Sequence, residues 1–273
     1  MKKILMVLSE YGYWGEELVA PLQVLENAGY IVNFATPTGK RPHALPPSMD
    51  SAFIDPPLDK RVVSPEMAEM VQAIEESDRL DSPLALNSLI PEIPYISSVT
   101  YLRDFEKYNN SVDKTAEKLS VYNALILVGG SGPIVDMVNN HRVHDVIRIF
   151  HNANKPIAAE CYAVACLAFA RDYWRRESII KNKHVTGHCL EYDYHDGTGF
   201  YGVDFNMGPP PYPLEFILRD ATAPNGQYIG NVGKNTSVIV DYPFITGRST
   251  PDSYLTGEML IKVIEEKMER YGW

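Results

Sequence analysis

The sequence predicts an α/β chain built on a mostly parallel sheet, with a cap inserted after the second strand. Three observations carry that prediction. Residues 1–36 alternate strand, helix and strand. Tyr122 to Val128 is a continuous apolar run ending in a glycine turn, and Pro156 to Ala170 is a strand that enters a helix. Alternation of this kind places helices on both faces of a parallel sheet.

Ile4–Leu8 is a short apolar strand. Leu18, Leu22 and Leu25 recur at helical spacing within Glu16–Ala28, and Gly29 stops that helix. Tyr30–Ala35 is the second strand. From Thr36 to about Ser120 prolines break the alternation, and short helices are expected at Pro65–Ser77 and Asn110–Lys118. This stretch reads as a cap and not as a second domain, because it lacks a sustained strand set. The run YNALILV at 122–128 has the character of a strand buried on both faces. A helix at Val143–Ala153, a strand at Pro156–Glu160 and a short strand at His184–Cys189 follow. Glu191–Pro213 is a loop rich in Gly, Pro and aromatic residues. Leu214–Arg219 reads as a helix, Ser237–Asp241 and Phe244–Thr246 as the last strands, and Leu255–Arg270 as a closing helix.

Composition excludes several classes of function. Lys+Arg number 25 against 35 Asp+Glu, so the formal net charge of −10 opposes nucleic-acid binding and docking on an anionic membrane. Tyr162–Ala170, the longest apolar run, is too short to span a bilayer. The run Ile4–Leu8 is shorter than the apolar core of a signal peptide, and Glu10 follows soon after. Cys161, Cys166 and Cys189 are an odd, sparse set, which fits a reduced cytoplasmic setting better than a disulfide framework.

Chemistry concentrates at the sheet's expected carboxyl edge. Cys161 stands where a strand passes into a helix, a junction that would expose the thiol and favour thiolate through the helix N-terminus. A buried structural cysteine is the equally plain reading of that segment alone. Gly129-Gly130-Ser131-Gly132 lacks the third glycine of a dinucleotide fingerprint and any phosphate-binding lysine, so it reads as a tight turn or an oxyanion cradle. His188 is a candidate base for the cysteine. Glu16 and Glu17 lie in the first helical turn, where either could point toward the thiol. His141, His144 and His151 lack the accompanying ligands of a metal site, and no metal or cofactor is expected.

In several blocks (Lys3–Leu8, Gly15–Thr38, Tyr122–Asp136, Lys155–Ala170, His184–His188 and Phe244–Ser253) the chain resembles the ThiJ/PfpI superfamily, related to class I glutamine amidotransferases. Its cap resembles that of the heat-shock chaperone/glyoxalase branch. The resemblance implies a flavodoxin-like three-layer sandwich with Cys161 as nucleophile. It implies the N–H groups of Gly130 and Tyr162 as oxyanion donors and Glu17 as the buried acid beside the sulfur. It also puts His188 where some members carry a histidine, and implies a homodimer. Two departures matter. Tyr162 replaces a histidine that often follows the cysteine, and Ser131 replaces one in the glycine turn. A base must then be His188 or Glu17. Glu160 is also unusual, because a carboxylate there opposes thiolate formation unless it faces away or meets a cation.

The expectation is one domain over 1–273, with a cap at about 36–120 and an aromatic loop at about 190–213. Cys161 would hydrolyse a C–N bond of a small organic substrate held by Ser131, Trp14, Glu191 and Tyr192, with aromatics of Tyr192–Tyr212 walling the pocket. The alternatives are isonitrile hydration, glyoxalase-type or deglycase-type chemistry, and a chaperone or redox sensor using Cys161.

Overall fold

The computed structural model describes residues 2–56, 58–192 and 214–273. Eight strands form one sheet: β1 (Lys3–Val7), β2 (Ile31–Thr36), β3 (Leu84–Ala85), β4 (Ala124–Leu127), β5 (Ile157–Glu160), β6 (Val238–Asp241), β7 (Phe244–Gly247) and β8 (Arg270–Tyr271). Their spatial order is β8-β6-β7-β5-β4-β1-β2-β3. All neighbours pair in parallel except β6, which runs against both β7 and β8. The mostly parallel α/β sandwich expected from the sequence is therefore present.

Side chains alternate across the sheet, and that splits each apolar run between two cores. Leu5, Val7, Leu125, Leu127, Ile157 and Ala159 pack on one face with Val143, Val146 and Phe150 of the helix His141–Asn152. Ile4, Met6, Ala124, Ile126 and Ala158 pack on the other. There they meet Leu18, Leu22 and Leu25 of helix α1 (Gly15–Asn27) and Met259, Leu260 and Val263 of the closing helix Ser253–Glu266.

The register aligns the carboxyl ends of the central strands. Val7 pairs with Leu127, Leu127 with Ala159, and Glu160 with Gly247. The residues that follow those ends, the glycine turn, Cys161 and Arg248, must then meet along one edge.

Several elements differ from their sequence-based outline; the closing helix stops at Glu266, and Arg270, expected in it, lies in β8. Within 36–120, Leu84–Ala85 joins the main sheet beside β2, and a long helix at Tyr101–Leu119 buries Tyr108 and Leu119 in the core. A two-residue strand between proline-rich segments has no periodicity to read. The strand expected at His184–Cys189 is only His184–Val185, paired with Gln227–Tyr228. The next N–H, of Thr186, donates to the Thr246 hydroxyl at 2.9 Å, and Tyr228 Oη donates to the Gly187 carbonyl at 3.1 Å. These bonds turn the chain so that His188 arrives over Cys161. Among the described residues no helix is long and apolar enough to cross a membrane.

Candidate active site

Cys161 begins a 3-10 turn, Cys161–Ala163, between β5 and the short helix Val164–Phe169. Its φ of 55° lies in the left-handed region. A non-glycine residue there costs on the order of 1–3 kcal/mol and is typical of a nucleophile elbow. The elbow aims the sulfur at the glycine turn. Backbone N–H groups of Gly130 and Tyr162 both donate toward Sγ.

The glycines are sterically required. Gly130 has φ 97°, and a Cβ there would lie 2.5 Å from Trp14 N. At Gly129 a Cβ would lie 2.1 Å from Glu17 Oε2 and 2.8 Å from Cys161 Cβ. That one point touches both the acid and the cysteine, which fixes how close they are. Trp14 N donates to the Gly129 carbonyl at 3.2 Å and pins the turn to the start of α1.

His188 Nδ1 stands 3.7 Å from Cys161 Sγ. Its ring stacks on Tyr162, with centroids 4.2 Å apart and planes at 24°, and meets Tyr192 edge-on at 6.2 Å. Those contacts explain why an aromatic residue follows the cysteine here: Tyr162 is the platform for the imidazole. The cap contributes Asp55, whose carboxyl interacts electrostatically with His188.

Of the two first-turn acids, Glu17 is the one at the sulfur. It is 2% exposed, and Thr250 Oγ1 donates to its Oε1 at 3.4 Å. Burial pushes its carboxyl up to about 8, against hydrogen bonds to Cys161 and Thr250 that favour the charged form. Burial also pushes Glu16 up to about 7. Burial therefore favours the protonated form of Glu17 beside the sulfur.

The thiol itself corrects an expectation. Cys161 is 6% exposed, and burial, followed by the charge of Glu17, raises its pKa well above the ordinary thiol range. The two N–H donors, one from the glycine turn and one from the 3-10 turn, lower it but do not win, because the site removes nearly all water. Burial at this site therefore works against the thiolate.

The remaining predicted residues sit around this centre. Trp14 is half-buried, and its Nε1 has no hydrogen-bond partner among the described residues. Ser131 is half-buried in the glycine turn, where its carbonyl accepts from Ile134 N at 3.2 Å. Tyr192 is half-buried, whereas Glu191 is exposed. The aromatic loop from 193 to 213 lies outside the described residues. The three histidines near one helix go elsewhere: His141 to the Pro91 carbonyl, His144 to the Val138 carbonyl, and His151 onto Phe244.

Arg248 and Asp252 were missed by sequence reasoning. Arg248 is fully buried, and its Nη atoms donate to the carbonyls of Gly230, Asn231, Lys234 and Asn235. Its guanidinium carbon lies 5.2 Å over the Tyr192 ring, and its Nε lies 3.9 Å from Asp252 Oδ2. It therefore braces the loop against Tyr192, the edge partner of His188. A charged residue directly after a buried strand was the available signal.

Comparison with known proteins identifies the family and the fold. The family model described as ThiJ/PfpI family-like matches residues 8–185. The chain belongs to the ThiJ/PfpI family. The matched span holds Glu17, the glycine turn and Cys161, and stops just short of His188. An uncharacterised protein of Methanocaldococcus jannaschii is 25% identical over 148 residues, 54% of this chain and 55% of that protein, so the chain spans about half the length of this curated relative. One solved structure, whose name states no function, covers 98% of this chain and 99% of its own, at 22% identity and TM-score 0.67. Glyoxalase III of Candida albicans covers 97% and 98%, at 16% identity and TM-score 0.54. Drosophila melanogaster DJ-1beta covers 97% and 90%, at 17% and 0.51. At these identities the solved structures speak for the shared ThiJ/PfpI fold alone.

Proposed function

We propose that the protein is a cysteine-dependent hydrolase that cleaves a C–N bond in a small organic substrate, with Cys161 as nucleophile. One observation carries the reading: the Cys161 sulfur, the His188 Nδ1 at 3.7 Å and the N–H groups of Gly130 and Tyr162 converge on one point. His188 takes the thiol proton as Sγ bonds to the substrate carbonyl carbon. The oxygen gains the electron pair and turns to the Gly130 and Tyr162 N–H groups. The C–N bond then breaks, and His188 returns the proton to the leaving nitrogen. Water adds to the thioester, and the sulfur leaves as thiol. Trp14, Tyr192 and Ser131 line the approach, and protonated Glu17 donates to the sulfur whenever it carries negative charge.

A base that works at the moment of attack suits a resting thiol better than a pre-formed thiolate does. The test is intact-mass analysis after incubation with small amides, nitriles, isonitriles and 2-oxoaldehydes. The reading predicts an acyl adduct on Cys161 from an amide, with release of its nitrogen, and slower formation of that adduct in His188→Ala. Adducts from isonitriles or 2-oxoaldehydes without C–N cleavage would overturn it in favour of a hydratase or a glyoxalase-type lyase. Silence from every class, with Cys161 instead oxidised to a stable sulfinate, would overturn it in favour of a sensor.

A further inference from the structure

One buried side chain at this edge has no part in the chemistry above. Glu160, the residue before the nucleophile, is 3% exposed. Its Oε1 lies 2.6 Å from the Ser253 hydroxyl, at the start of the closing helix. The neighbouring strand leaves space for it. Gly247 is its register partner, and a Cβ there would sit 3.0 Å from Glu160 Cγ and 2.5 Å from Thr256 Oγ1.

Glu17 reaches the same turn through Thr250, three residues before Ser253. Both carboxyls interact with the Cys161 sulfur electrostatically, so the thiol lies within the field of two acids. The charged groups around them are nearly all acidic. Glu16 faces them from α1 and Asp252 from the turn. Arg248 is the cation on that turn, but its nitrogens are engaged by four carbonyls and Asp252. His188 faces the sulfur. Among the described residues neither Glu17 nor Glu160 has a cationic partner. Glu160 points from β5 toward the closing helix and meets no cation among the described residues; burial and the nearby Glu17 push its carboxyl well above the ordinary carboxylate range.

Two carboxyls in one water-poor site do not titrate independently: ionising either makes the other, and a nearby thiol, harder to ionise. We propose that Glu160 is a positioning residue, that it and Glu17 form one buried carboxyl pair flanking Cys161, and that this pair sets the pH range in which the sulfur becomes nucleophilic. The inference rests on Cys161 being the reactive sulfur, not on the bond it cleaves.

The test is the pH profile of Cys161 alkylation by iodoacetamide, followed by peptide mass spectrometry in the full chain. In Glu160→Gln the amide keeps shape and the Ser253 contact but cannot acquire charge. Its profile is expected to move to lower pH by about one unit, read as ~10-fold faster alkylation at a fixed pH below the midpoint. A folded Glu160→Gln whose profile superimposes on wild type overturns the inference. Wild-type Cys161 that never alkylates overturns instead the reading of Cys161 as nucleophile. If Glu160→Gln does not fold, carboxyl NMR of ¹³C-glutamate-labelled wild type decides: two glutamates besides Glu16 must still be protonated at pH 7, and fewer than two overturns the pair.

Discussion

Cys161 and Cys166 are five residues apart on one continuous stretch of chain, and both are buried. Burial pushes the pKa of both thiols up and disfavours their ionisation. Cys166 lies inside the helix Val164–Phe169, in the apolar core on one face of the sheet. Cys161 occupies a left-handed elbow, faces two N–H donors and has an imidazole at 3.7 Å. Desolvation alone therefore does not mark a nucleophile. What separates the two is the convergence of donors, base and acid on one sulfur, at the carboxyl edge where strands stop and polar residues take over. The sheet interior is apolar on both faces. The edge instead buries Glu17, Glu160, Asp252 and Arg248, at a cost in stability.

Replacing each sulfur is the strongest way to break this comparison. Cys161→Ala is expected to lower turnover on the order of 10³-fold or more, with Cys166→Ala leaving it within a few-fold. Steady-state kinetics on the substrate found by the adduct screen measures both. If the two variants lose equally, position and not chemistry distinguishes the cysteines. Next in size, His188→Ala should cost about 10²-fold in kcat if imidazole takes the thiol proton. An unchanged kcat moves that task to Glu17.

The edge can also be read through stability. Glu17 titrates near 8 in the folded protein, above its usual 4.5. The native state then holds a proton that the unfolded chain releases, so this contribution is full below about pH 4.5 and is lost as pH rises to about 8. Glu17→Gln removes that slope and should stabilise the protein at pH 8 by on the order of 1–3 kcal/mol, with little gain at pH 4.5. Urea unfolding at the two pH values reads it; an equal effect at both would mean that Glu17 is ionised in the native state. The smallest effect belongs to the wall of the site. Trp14→Phe removes the unpartnered indole N–H and is expected to raise KM by about three- to ten-fold with kcat unchanged. A loss in kcat instead would place Trp14 in support of the Gly129–Gly130 turn.

Much of the site was legible before any coordinates. The strand–helix junction at Cys161, the Gly129-Gly130 turn after an apolar strand, and Glu17 in a first helical turn are local patterns, and local patterns survive in sequence. His188 was a candidate by residue type and by the family resemblance; two hydrogen bonds, from Thr186 to Thr246 and from Tyr228 to Gly187, turn it toward the sulfur. The thiolate expectation failed because a helix N-terminus is visible in sequence while loss of water is not. The strand Leu84–Ala85 escaped notice because two residues carry no period.

The sequence by itself determined the alternation of strand and helix, the two apolar faces of each central strand and the identity of the elbow cysteine. Those follow from periodicity and from the residue types at strand ends. Only the tertiary structure decided which acids meet the sulfur, that Arg248 and Asp252 share its edge, and that Glu160 lies buried without a cation. Those outcomes depend on strand order and register, which bring together residues from opposite ends of the chain: Glu17 and Thr250, Glu160 and Ser253. The ionisation of a buried group is set by such neighbours and by lost water, and neither is written in the residues beside it.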